Sequence, residues 1–230
     1  MLDQLRAEVL EANLDLVRRG LVIASFGNAS GLARDEGLVV IKPSGVRYED
    51  LRPESLVVTD LDGRTVEGPF RPSSDLPTHL ALYRAFPSIG GVAHTHSSYA
   101  TAWAQARREI PCLGTTHADY FRGPVPVTEA MTSAEIWSDY ERNTGEVIVR
   151  RFRALDPCAV PAVLVAGHGP FCWGASVAEA AHVAIILEEI ARMACHTVML
   201  DPAVRSIEND LLEKHFRRKH GPGAYYGQDR

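Results

Sequence analysis

The chain of 230 residues is 46% hydrophobic and 23% charged, with a formal net charge of −5. That length can bury a sizeable core, and the composition excludes a disordered or fibrous protein. Slight acidity without a long basic block argues against nucleic acid or an anionic membrane as the main partner.

At the start of the chain, Leu2, Leu5, Val9 and Leu16 recur among polar residues, with Gly20 just beyond. This predicts an amphipathic helix, and the layout is not the basic-then-apolar one of a signal peptide. The β-branched runs 37–45 and 55–63 end in turn residues and predict strands. Residues 73–87 set Ser74 and Asp75 before a periodic segment with Pro77 in its first turn, a helix start. "SIGGVAHTH" (88–96) predicts a buried strand, followed by a helix in "SSYATAWAQAR" (97–107). Thr132 with Glu135, and Ser176 with Glu179, predict capping boxes that each open a helix, the second one long. Between them, 161–174 predicts one more buried strand, with Gly-His-Gly at its end. A last helix over roughly 206–219 ends in a short basic tract, where cations suit the helix dipole, and stops at Gly221.

Strands mixed with helices, without repeats or linkers, predict a single layered α/β domain over 1–230, although pattern does not fix the strand order. No apolar run approaches the roughly 18 residues of a membrane span. Cys112, Cys158, Cys172 and Cys195 are scattered with no CxxC pair. Without an export signal, they predict reduced thiols in a cytoplasm.

Two groupings carry chemistry. On a strand, residues i and i+2 face the same way, so His94 and His96 project together while Thr95 points away. That suits two neutral imidazoles converging on one ion, although a lone His-x-His also fits two half-exposed polar residues. His168 follows another apolar run between glycines, and Asp75 stands at a helix start. Three histidines and a carboxylate suit a divalent transition metal, zinc first, with manganese, cobalt, iron and nickel also compatible. His79 and His182 fall inside helices and read as packed or surface groups. The second grouping is "FGNAS" (26–30), "KPSG" (42–45) and "PSS" (72–74). These offer backbone N–H groups, hydroxyls and the Lys42 ammonium to an anion. Each alone is ordinary turn or cap chemistry; together they predict a phosphate pocket. No dinucleotide or P-loop motif competes, since "GPGAYYG" (221–227) misses the glycine spacing by one residue.

"FGNAS", "IKPSGV", "PSSDLPTH", "FPSIGGVAHTHSSYATAWAQA", "GTTHADYF" and "RKHGPGAYYGQ" together resemble the L-ribulose-5-phosphate 4-epimerases of the class II aldolase and adducin-head superfamily. The resemblance covers almost the whole chain. It implies a three-layer α/β/α fold with a largely antiparallel central sheet. It also implies a cyclic homotetramer acting on a sugar phosphate, with active sites between adjacent subunits. By the same resemblance, Asp75, His94, His96 and His168 would hold Zn²⁺. Asn28, Lys42, Ser44, Gly45, Ser73 and Ser74 would line the substrate phosphate. Asp119 and Tyr226, from a neighbouring subunit, would be the acid/base pair. Thr115, Glu141, His215 and Arg218 match positions around the aldehyde fragment and the interface. Without the resemblance, Asp119 would read as a turn aspartate and Tyr226 as a packed or frayed terminal residue. Two departures are visible: Phe26 stands where a tryptophan is familiar, and 150–160 diverges. The same superfamily contains sugar-phosphate aldolases, which tend to carry Glu where this chain has Asp75. It also contains non-catalytic adducin-like scaffolds, for which loss of the metal ligands is expected.

Overall fold

The computed structural model describes residues 2–227. Seven strands form one sheet in the order β4-β3-β2-β1-β5-β7-β6. They are β1 (Gly27–Ala33), β2 (Leu38–Ile41), β3 (Val57–Asp60), β4 (Thr65–Glu67), β5 (Gly91–Thr95), β6 (Ala162–Leu164) and β7 (Pro170–Gly174). Every ladder joining them is antiparallel.

Strand alternation divides the helices between the two faces. On β1, Ala29 exchanges hydrogen bonds in both directions with the Asn13 amide of α1 (Leu2–Arg18). Gly31 lies so close to α1 that a β-carbon would meet Leu5 at 2.7 Å. Ser30, between them, turns to the other face and bonds His79 and Tyr83 of α2 (Leu76–Ala85) at 2.7 Å each. On β5 and β7, Gly91 and Gly174 press against α7 (Val177–Leu200). Trp173 instead packs on Phe86 and Phe152 at the opposite face. The helices α1 and α7 therefore cover one face, and α2 with α6 (Tyr140–Arg151) covers the other. This is the three-layer arrangement with a central antiparallel sheet.

Gly91 shows why glycine is required at one layer contact: its β-carbon would lie 2.4 Å from the Val177 Cα. The helix α3 (Ser98–Gln105) starts directly beyond His96 and is capped across layers rather than by its own Ser97. Both oxygens of Glu188, on α7, accept from the first turn, from the Tyr99 and Ala100 N–H groups at 2.8 and 2.9 Å. A carboxylate there satisfies two orphan donors and complements the helix dipole.

Several elements differ from the sequence expectation. Residues 161–174 are a hairpin, β6 and β7, with Gly167 at φ +75 making the reversal. A continuous apolar pattern hid the turn, because strands buried on both faces do not alternate. "FGNAS" begins β1 rather than a loop, so most of its backbone N–H groups belong to the sheet. The Thr132–Glu135 capping box is formed but opens only the short α5 (Ser133–Trp137); α6 starts separately after Asp139. At α7, Ser176 accepts from the Glu179 N–H, but the Glu179 carboxylate turns to the Ala175 N–H instead of closing the box. The remaining helices are α4 (Thr115–Ala118) and α8 (Asn209–Lys219), the latter beginning three residues later than the sequence suggested. Among the described residues, no helix is long and apolar enough to cross a membrane, and the four cysteines are unpaired.

Candidate metal centre and substrate pocket

His94 lies inside β5, only 1% exposed, and His96 stands one residue past the strand end. Their rings still converge, with the two Nε2 atoms 3.1 Å apart. His168, on the tip of the β6–β7 hairpin, brings its ring centre to 4.9 Å from that of His94 and 5.0 Å from that of His96. One nitrogen from each of the three falls within 4.8 Å of the others.

The hydrogen bonding of His94 fixes its tautomer. Nδ1 is 2.8 Å from the Pro170 carbonyl, which can only accept, so Nδ1 carries the proton and Nε2 presents a lone pair. The ring itself is stacked on Phe171, its cross-strand neighbour, at 4.1 Å. Burial pushes His94 down to about 4 and also lowers His96 and His168, so all three are neutral at pH 7. Neutral imidazole is the form that binds metal.

Asp75 occupies the position before α2 but caps nothing with its side chain. Its carboxylate accepts from the Asn28 amide at 2.7 Å. Burial works to raise its pKa, but His94, His79 and the Asn28 hydrogen bond outweigh that and hold it below the usual carboxylate range. Asp75 stands at the rim of the imidazole group rather than inside its tightest grouping.

These four residues share a cavity of 370 Å³ with Asn28, Lys42, Ser44, Gly45, Ser73 and Ser74. The register places the metal and phosphate sides together, because Asn28 on β1 pairs directly with His94 on β5. Asn28 donates to both Asp75 and the Ser73 hydroxyl, the latter at 3.1 Å, while its own oxygen is buried without a partner. A buried orphan acceptor beside three lone-pair nitrogens is a place for a cation or a donor. Three imidazoles with a nearby carboxylate are the donor set of a divalent transition metal, so the residues present fit such an ion. Lys42 is buried with its ammonium 2.8 Å from the Val46 carbonyl and 4.8 Å above the Tyr48 ring; burial lowers its pKa. Gly45 has φ +70, the left-handed conformation that lets the loop expose backbone.

Asp119, Tyr226, His215 and Arg218 gather elsewhere on the chain and do not line this cavity. Asp119, which follows α4, receives both the Arg218 guanidinium and His215 Nδ1, the latter at 2.9 Å, with the Lys219 ammonium at 3.6 Å. Burial raises its pKa, but those partners outweigh it and keep the carboxylate ionised. Arg218 and Lys219 also lie over the Tyr226 ring at 4.9 and 4.5 Å, so Asp119 and Tyr226 are bridged by shared cations. Thr115 opens α4 beside this group. Glu141 is in the first turn of α6, where its carbonyl accepts from the Thr78 hydroxyl.

Three residues in these assemblies were given no site role by the sequence. Lys219 stands four residues after His215, on the same helix face, and that spacing was the available signal. Phe26 sits 6.1 Å from the His96 ring and at the cavity mouth. Tyr140 reaches His168 from α6, a contact that no local pattern announces. His79, expected as a packed or surface helix residue, is fully buried beneath the site.

Comparison with known proteins agrees with this architecture. The chain is 52% identical over 227 residues to "L-ribulose-5-phosphate 4-epimerase UlaF" of Salmonella paratyphi B (strain ATCC BAA-1250 / SPB7), covering 99% of this chain and 100% of that protein. The Salmonella typhi protein of the same name is also 52% identical over the same span. Among solved structures, YgbL from Klebsiella pneumoniae matches with TM-score 0.73 and 29% identity, over 93% of this chain and 98% of that one. An L-fuculose 1-phosphate aldolase matches in fold with TM-score 0.78 at 24% identity, over 92% and 94% of the two chains. The profile of the class II aldolase and adducin N-terminal domain matches residues 7–195. The chain therefore belongs to the class II aldolase and adducin N-terminal domain family.

Proposed function

We propose that this chain, acting as one domain, is a divalent-metal-dependent epimerase that interconverts L-ribulose 5-phosphate and D-xylulose 5-phosphate. The observation that carries this is the single cavity in which His94, His96 and His168 face Asn28, Lys42 and Ser73. A chain that so closely matches proteins named for that reaction over its whole length makes the substrate specific.

Inversion at C4 of a 2-ketose phosphate poses a definite problem. C4 is β to the carbonyl, so its hydrogen is not acidic and enolisation cannot reach it. Breaking C3–C4 can. The O4 proton leaves, the C4–O4 bond becomes a carbonyl, and the C3–C4 electron pair passes into the C2 carbonyl to give an enediolate. The aldehyde fragment then turns, and C3 attacks its other face. Asp75, His94, His96 and His168 would hold the ion, with zinc as the proposed metal. When bound, it supplies Lewis acidity that lowers the cost of the enediolate by several kcal/mol.

The remaining work falls to side chains. Asn28, Lys42, Ser44, Gly45, Ser73 and Ser74 bind the phosphate of the aldehyde fragment, so the fragment rotates while tethered. Asp119 and Tyr226 move the O4 proton, one for each face of the aldehyde, with Thr115, Glu141, His215 and Arg218 around them. Each such proton transfer is worth roughly 10²–10⁴-fold. Neither residue lines the cavity of its own chain, which supports active sites completed by an adjacent subunit in a homotetramer. A cytoplasmic location belongs to the same proposal and is supported by the unpaired cysteines.

The test is incubation of metal-loaded protein with L-ribulose 5-phosphate. Formation of D-xylulose 5-phosphate is expected. Release of free glycolaldehyde phosphate without pentulose interconversion would assign the protein to the aldolases instead.

A further inference from the structure

Of the three imidazoles, His168 is the one carried on a turn. It occupies a hairpin tip between Gly167, at φ +75, and Gly169, and is only partly buried. His94, in contrast, is held inside a strand with Nδ1 tied to the Pro170 carbonyl at 2.8 Å. A ligand on a glycine-flanked turn needs an external brace to keep one ring nitrogen aimed at the ion.

Tyr140 is placed to provide it. Its hydroxyl is 3.2 Å from His168 Nδ1, and the two rings meet at a tilt of 31° with centres 6.0 Å apart. Tyr140 is the first residue of α6, and that end of the helix is fixed. Thr78 of α2 donates to the Glu141 carbonyl. Gly145, one turn further on, lets α6 approach α2 so closely that a β-carbon would lie 2.5 Å from that of Ala81. Asp75 stands at the start of that same α2. The phenol therefore keeps a fixed position relative to the carboxylate side of the site.

We propose that Tyr140 is a positioning residue for the metal ligand His168. Its phenol oxygen accepts the Nδ1–H, which leaves the Nε2 lone pair for the ion, as the Pro170 carbonyl does for His94. This rests on the metal-site reading above. It makes α6 the element that locks the third ligand, so a strand, a hairpin and two helices would together set the metal site.

The test uses Co²⁺ as the probe, with affinity measured by competition against a chelator on the full chain. Tyr140→Phe keeps the ring and removes the acceptor. It is expected to weaken Co²⁺ affinity by about 10-fold or more, to shift the cobalt absorption bands, and to leave the melting temperature of the metal-free protein unchanged. His168→Ala runs in parallel. Wild-type affinity in Tyr140→Phe, with affinity lost in His168→Ala, overturns the role of Tyr140 and leaves the metal site standing. Wild-type affinity in both variants overturns the metal site and this inference with it. A fall in affinity matched by a lower melting temperature of the metal-free protein also overturns the inference, since Tyr140 would then be a packing residue.

Discussion

At the scale of single residues, the site is organised by what each polar atom lacks. His94 has spent Nδ1 on Pro170, and the oxygen of Asn28 has no partner, so the cavity wall presents unused lone pairs at its centre. His96→Ala removes one nitrogen from the convergent group and is expected to lower bound metal per subunit sharply, as read by elemental analysis of the dialysed protein. Full retention of metal would remove His96 from the ligand set. Much of this was legible in the sequence, because the His-x-His spacing needs only strand geometry to bring two rings together. Asp119 was legible only by resemblance: its carboxylate is held by Arg218 and His215, nearly a hundred residues downstream, and no local pattern encodes such a partner.

At the scale of elements, the layers touch where side chains are missing. Gly91 on β5 allows α7 to lie directly on the strand that carries His94. Gly91→Ala would set a methyl 2.4 Å from the backbone of Val177, so helix and strand must part. Overpacking of this kind costs typically 1–3 kcal/mol. A lower melting temperature with reduced metal affinity is expected, and an unchanged melting temperature would mean that the layers yield without cost. Elements with a clear period or cap were readable: α1 and α2 start and stop close to their signals, and the long α7 starts at its cap. The β6–β7 hairpin was not, because both strands are buried on both faces and the turn interrupts no alternation. "FGNAS" misled for a related reason, since the small polar residues that usually mark a loop here lie in a buried strand, where Asn28 faces the cavity and Ser30 bonds His79.

At the scale of the whole molecule, buried histidines tie stability to pH. His117 is 4% exposed and held by the Gly123 carbonyl; burial pushes it from 6.5 down to about 4. Because the folded value lies below the ordinary one, the neutral ring contributes its full stability above pH 6.5. That contribution is lost as pH falls from 6.5 through about 4. Urea unfolding of the metal-free protein across this window is expected to show a loss of a few kcal/mol, which His117→Gln should diminish. Subunit exchange offers a second measurement. On the proposed intersubunit site, His96→Ala and Tyr226→Phe would each damage a different half, so the separate variants should be inactive or nearly so, and mixed assemblies should regain activity. No regain on mixing would mean that each chain completes its own site. The pairing of β5 with β7 also has a consequence for synthesis. His94 and the Pro170 carbonyl that orients it are separated by 76 positions, and a slip of one residue would put Cys172 where Phe171 stacks. A nascent chain thus carries two histidines long before it has a socket, and on the proposed metal site capture must wait until β7 has left the ribosome and closed the sheet.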